Sequence, residues 1–332
     1  MKEKKDSQID SEIKKAISPS KAFGQKELTG NVTIKIASHD VSLTHLEKPY
    51  FPDDGITKGD LLKYYFDISK YIVPYLKDRP LILKRFPNGI TKPFFFQHDL
   101  EDHADFVRTV AIDMEVGHTV NYALCDDAAA LLYLANLGTI SQNPWLSRVG
   151  NLNKPDLVVW DLDPSGDDFS VVCETALAVK NALDEIGLKS YPKTSGASGI
   201  HIYVPIKPDY EFDVIAEFAQ NVAEVIANKN PGIATRERAP NKRKGRVYVD
   251  HLQNARGKSV AAAYSVREKP GATVSAPLDW AEMQKKRIKI GDFTIKNMIR
   301  RIESKGDLFK DVLRTKQKLE GAIEAVKRII TR

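Results

Sequence analysis

Pro155-Asp156-Leu157-Val158-Val159-Trp160-Asp161-Leu162-Asp163-Pro164 is an apolar run that ends in two aspartates. It is too short for a helix and rich in β-branched and aromatic residues, so it reads as a buried strand. Side chains alternate along a strand, which puts Asp161 and Asp163 on one face and Val158, Trp160 and Leu162 on the other. Two carboxylates side by side repel, and each raises the other's pKa unless a cation lies between them. A plain strand-end turn through Pro164-Ser165-Gly166-Asp167-Asp168 accounts for the same residues. D-x-D alone does not separate the two readings.

Further along stands Tyr191-Pro192-Lys193-Thr194-Ser195-Gly196-Ala197-Ser198-Gly199-Ile200-His201-Ile202-Tyr203-Val204-Pro205-Ile206. A small-residue loop, Thr194 to Gly199, feeds an alternating strand with His201 and Tyr203 on one face. Glycines and serines let backbone N–H groups converge on an anion, and His201 stands where it can reach that anion. A hairpin turn with a surface histidine is the competing reading. A third strand, Arg246-Val247-Tyr248-Val249-Asp250-His251-Leu252-Gln253-Asn254, again ends in a carboxylate and follows the basic loop Arg236 to Gly245. Three strand-borne carboxylates, an anion loop and flanking arginines suit two divalent cations and a triphosphate, the apparatus of two-metal nucleotidyl transfer.

The order D-x-D, then S-G-x-x-G-x-H, then a lone strand-end Asp resembles the archaeo-eukaryotic primase superfamily. More closely, the chain resembles the polymerase domain of the bacterial and archaeal DNA ligase D family of non-homologous end joining. The likeness takes in Arg79-Pro80-Leu81-Ile82-Leu83-Lys84-Arg85-Phe86-Pro87-Asn88-Gly89, Pro93-Phe94-Phe95-Phe96, Ala263-Tyr264-Ser265-Val266-Arg267 and Pro277-Leu278-Asp279-Trp280. It implies an α/β (α+β) fold, an RRM-like antiparallel catalytic sheet flanked by helices beside an N-terminal α/β lobe.

The resemblance further implies that Asp161, Asp163 and Asp250 ligate two divalent ions, Mn²⁺ or Mg²⁺, and carry catalysis. It implies that Lys84, Ser195, His201, Arg243, Arg267 and Asn254 contact an NTP or dNTP. Lys48 and Lys58 would hold the 5′-phosphate of a downstream DNA strand, and Phe95-Phe96 would stack on template bases. The implied activity is template-dependent filling of gaps and extension of DNA ends, with ribonucleotides favoured. Neither a ligase nor a phosphoesterase domain is read in the chain, so those activities, and Ku, are expected on separate chains. Two positions depart from the family pattern: Asn143 stands where a His is usual, and Ser198 where a Lys is common. Both predict altered nucleotide use with the metal ligands untouched. Two other functions compete: a DNA-end binding module with an impaired nucleotide site, and a haloacid-dehalogenase-like phosphatase, whose nucleophile motif is also a strand-end D-x-D.

Composition agrees with a nucleic-acid partner without requiring one. The 332 residues carry a formal net charge of +6, clustered in Arg236 to Arg246, Lys285 to Lys289 and Lys296 to Arg301. No apolar stretch has membrane-spanning length, and Met1 to Ser7 lacks the core of a signal peptide, so a cytoplasmic, nucleoid-associated protein is expected. Only Cys125 and Cys173 are present, in no metal-like pair. Residues 1–30 read as a polar extension or a loosely docked helix. The domain proper spans 31–332: an N-terminal lobe over 31–150, a catalytic lobe over 151–310 and a C-terminal helix over 311–332. Helices are expected from Thr57, with Pro74 kinking or ending the first, and over 126–137, 170–186 and 212–227. Strands are expected at 31–38, 156–163, 188–192, 200–206 and 246–252.

Overall fold

The computed structural model describes residues 16–25, 28–114, 117–285 and 288–331. The expected features at Met1 to Ser7 and at Lys286-Arg287 lie outside them. Helix α1 (Pro19–Phe23) precedes strands β1 (Val32–Ile36), β2 (His39–Leu43), β3 (Pro49–Phe51) and β4 (Ile56–Thr57), which pair as two small antiparallel ribbons. Within the expected polar extension, Ile17 bridges Ile34 and the Phe23 ring packs on Phe66, so this part is docked.

Helix α2 (Lys58–Leu76) starts at a capping box: the Thr57 hydroxyl accepts from the Asp60 N–H while the Asp60 carboxylate accepts from the Thr57 N–H. Pro74 sits inside the last turn, and the helix ends two residues later. Strands β5 (Leu81–Arg85), β6 (Phe95–Gln97), β7 (Thr109–Asp113) and β8 (Thr119–Ala123), helix α3 (Ala128–Asn136) and strand β9 (Thr139–Pro144) follow. β5 lies at the heart of this sheet, with β9 along one edge and β6 and β8 on the other.

The second half runs β10 (Leu157–Asp163), α4 (Phe169–Glu185), β11 (Tyr191–Thr194), β12 (Ile200–Pro205), α5 (Phe212–Lys229), β13 (Ala234–Thr235) and β14 (Val247–Asp250). Its sheet has the order β11-β12-β10-β14-β13, antiparallel except for the short β13–β14 pair. The succession β10-α4-β11-β12-α5-β14 in that order is the βαββαβ arrangement of ferredoxin-like and RRM-like sheets. The apolar face of β10 meets α5: Trp160 packs edge-on against Phe218 and its Nε1–H donates to the Ala219 carbonyl at 2.9 Å. That leaves the aspartate face to the cleft. Cys125 and Cys173 are both buried.

Two expectations are corrected here. Strand β11 starts at Tyr191 rather than at residue 188, because Gly187 at φ +79° and the Leu188 N–H bonded to the Leu183 carbonyl keep the chain in the helix-ending turn, and it runs on to Thr194. The single C-terminal helix is two, α8 (Lys310–Arg314) and α9 (Glu320–Ile330), after α6 (Trp280–Gln284) and α7 (Met298–Lys305). Between them Gln317 forms a bridge to Ile206 and its side chain bonds the backbone of Lys189 and Pro205. Pairing with a sheet edge thus overrides the helical periodicity. No helix among the described residues is long and apolar enough to cross a membrane.

Candidate active site

Register decides the geometry. Asp161 lies opposite His201 on β12 and opposite Asp250 on β14, while Asp163 lies opposite Tyr248. Paired residues share a face, so three carboxylates and a histidine project on one side of three adjacent strands. Each carboxylate has one oxygen anchored. Asp161 Oδ1 is 3.4 Å from His201 Nε2, and Asp163 Oδ2 accepts from Arg243 Nη1 at 2.9 Å. Asp250 Oδ1 accepts from the Leu252 N–H at 2.8 Å and from the Tyr248 hydroxyl at 3.3 Å. The second oxygen of each has no hydrogen-bond partner among the described residues. Burial first, then the charges of Asp250 and Asp163, push the Asp161 carboxyl up to about 7.

The three carboxylates are hard oxygen donors, and a divalent cation would relieve the repulsion that raises Asp161, so the donor set suits Mg²⁺ or Mn²⁺. They are held side by side rather than closed on one point. Among the described residues no group of three or more His, Cys, Asp or Glu side chains already forms a cation cage.

The loop after β11 is tighter than its composition suggests. Ser195 Oγ accepts the N–H groups of Ala197 (3.1 Å) and Gly199 (3.0 Å), and the Ser195 N–H bonds the Gly199 carbonyl. Two of the loop amides expected to face an anion are therefore turned inward, and Ser195 is the pivot of the loop. Gly196 and Ser198 keep N–H groups with no acceptor among the described residues. Gly199 is obligatory, since a Cβ there would lie 2.1 Å from the Leu162 carbonyl oxygen. Ser198 is exposed at the loop tip. Arg267 Nη1 holds the Ser195 carbonyl at 2.6 Å from the far side.

Beneath the loop lies a residue that sequence reasoning missed. Lys193 is completely buried, with Nζ 2.8 Å from His201 Nδ1, 2.5 Å from Ser275 Oγ and 5.4 Å from the Tyr203 ring centroid. Burial, then Arg267, hold its ammonium well below the usual lysine range; burial and Lys193 do the same to His201.

Two other expected nucleotide contacts are engaged within the protein. Arg243 is buried, its guanidinium bonded to Asp163 and to the carbonyls of Glu237, Arg238 and Asp163. It fixes the basic loop against β10. Asn254 is fully buried and plays a structural part. Its amide accepts from the Val159 N–H and donates to the carbonyls of Val159 and His251. It thereby continues the ladder along β10 after β14 has turned away.

The N-terminal sheet supplies the other wall. Lys84 on β5 is flanked in register by Phe96 and Ser141, and Asn143, one pair along on β9, shares that face. Asn143 is bonded only locally, its Nδ2 donating to Ser141. Lys84 is ion-paired with Glu268, and its Nζ sits 4.4 Å from the Phe94 ring centroid. Phe94, Phe95 and Phe96 are 48%, 45% and 60% exposed, a row of rings open to solvent. At the start of α2, the Lys58 ammonium is almost buried beside Thr44, and Lys48 Nζ bonds the Pro87 carbonyl and Asn88. Burial and then Lys48 lower Lys58 to about 8.

Residues 57–309 match the family model for the LigD primase-polymerase domain. The bifunctional non-homologous end joining protein LigD of Bacillus subtilis is 35% identical over 83% of this chain and 45% of its own length. The multifunctional LigD of Mycobacterium tuberculosis is 30% identical over 81% of this chain and 36% of its own length. The chain thus spans less than half the length of these relatives. The solved polymerase domain from Mycobacterium tuberculosis ligase D, in complex with DNA, superposes with a TM-score of 0.78 at 29% identity, over 83% of this chain and 99% of that one. The phosphatase alternative falls with these matches. The chain belongs to the LigD primase-polymerase domain family and, by that membership, is a nucleotidyltransferase of the primase-polymerase type.

Proposed function

We propose that the chain is a template-dependent polymerase that fills gaps and extends DNA ends in non-homologous end joining, with two divalent cations and a preference for ribonucleotides. The observation that carries this reading is the register that sets Asp161 between His201 and Asp250, with Asp163 two residues on. Asp161, Asp163 and Asp250 would hold the cations. When bound, these ions acidify the attacking 3′-hydroxyl and neutralise the leaving pyrophosphate.

The rest is the work of the chain. His201, Arg267, Lys84 and the free amides of Gly196 and Ser198 surround the place where a triphosphate would lie, and they bind and orient it. Arg243 aims Asp163. The phenylalanine row gives unpaired template bases a stacking surface. Lys48, Lys58 and the first turn of α2 form a compact positive site for a terminal phosphate. Ku, a ligase and a phosphoesterase would complete the pathway.

Primer extension on a duplex with a 5′-phosphorylated gap tests this, comparing ribo- and deoxynucleotides with Mn²⁺ and Mg²⁺. Templated, metal-dependent addition with ribonucleotides ahead is expected. Tight binding of the gapped duplex without any addition would instead establish a DNA-end binding module.

A further inference from the structure

We propose that Lys193 is a positioning residue that locks His201 in the tautomer carrying its proton on Nε2. The ring then faces the cleft as an N–H donor and is barred from binding a metal through that nitrogen. Lys193 is wholly buried, and no carboxylate lies within ion-pair distance of it among the described residues. A buried lysine with no counter-ion is costly, so its three contacts call for a reason.

The direction of each hydrogen bond follows from its neighbour. Ser275 Oγ donates its single proton to the Thr194 carbonyl at 2.7 Å, so toward Lys193 it can only accept. Lys193 Nζ donates there and keeps a further N–H for His201 Nδ1 at 2.8 Å; in the ammonium form it has no lone pair and can only donate. A nitrogen that accepts carries no proton in the neutral ring, which leaves the proton on Nε2. The other end of the ring, Nε2, faces Asp161 Oδ1 at 3.4 Å.

Imidazole nitrogen resonances of the ¹⁵N-labelled full chain, free of metal and nucleotide and assigned with His201→Asn, test the proposal. The parent should show His201 protonated on Nε2 alone. Lys193→Met removes the donor, and both tautomers should appear; Lys193→Gln keeps an N–H₂ donor and should preserve the parent pattern. A parent ring protonated on Nδ1 overturns the proposal even if neither variant folds, and so does a Met variant with the parent pattern.

A second arm rests on the nucleotide reading of His201. KM for the nucleotide should rise about ten-fold or more in Lys193→Met, the loss of one charge-assisted hydrogen bond, and much less in Lys193→Gln. A tautomer shift with unchanged KM upholds the lock and discards His201 as a nucleotide contact, so the two failures are distinguishable.

Discussion

Asp161 is pushed up to about 7 in the fold, from an ordinary aspartate value of 3.8. Between those values the folded state binds more protons than the unfolded one, so this group's contribution to stability falls as pH rises through the window, and the full penalty is present above it. We therefore predict that metal-free Asp161→Asn gains on the parent in thermal unfolding as pH is raised from about 5 to about 8, by roughly 2 kcal/mol. At the upper pH, Mn²⁺ should raise the Tm of the parent and not of the variant, and nucleotide addition by the variant should be lost. Parallel pH profiles for the two proteins would remove the carboxylate repulsion from the account. The aspartates and His201 were legible because period-two alternation fixes which residues share a face. Lys193 was not: a lysine in an alternating strand reads as solvent-facing, and its partner Ser275 is far off in the sequence. The structural part of Asn254 was hidden for a related reason, since ladder completion at Val159 depends on where β14 stops pairing.

The first turn of α2 and the loop after β11 each invite a test of an element. The capping box leaves the helix start ordered, and burial and then the neighbouring Lys48 bring Lys58 down to about 8. A gapped duplex with a 5′-phosphate should be preferred over its unphosphorylated twin, and that preference should decline as Lys58 loses its charge, at a pH above 8 because the phosphate itself opposes the loss. Lys48→Ala and Lys58→Ala should each cut the preference about ten-fold and leave the unphosphorylated duplex unaffected. Equal losses on both duplexes, in a binding titration, would reduce the lysines to general backbone contacts. At the loop, Ser198 is exposed at the tip. Ser198→Lys should lower KM about ten-fold for all four bases alike, since the added charge meets the shared triphosphate. A base-dependent change would show that the tip faces elsewhere. Helix starts and strand centres were readable from caps and alternation, whereas the break between α8 and α9 was not. Residues 313 to 330 keep a helical stripe, and only the edge offered by Ile206 gives Gln317 a reason to leave it.

At the scale of the molecule, one hydrophobic cluster runs through both sheets, and the two walls of the cleft are tied across it by Lys84 on β5 and Glu268 after the third-strand region. Glu268 is nearly buried; burial alone would raise its carboxyl, but Arg267 and Lys84 together hold it below the usual range. Its Oε2 is buried without a hydrogen-bond partner. This carboxylate therefore sits against two of the cations assigned to the triphosphate, in the manner of an occupant that a nucleotide must displace. Glu268→Gln keeps the shape and removes the charge. It should lower KM for the nucleotide several-fold, because Lys84 and Arg267 no longer exchange one anion for another, with little change in kcat. The same change should lower Tm modestly, since it leaves Lys84 without its partner between the walls. Steady-state kinetics with a single nucleotide decide the matter. If KM rises instead, and rises as it does in Lys84→Ala, then Glu268 orients Lys84 for the phosphate, and the pair is a part of the assembled site.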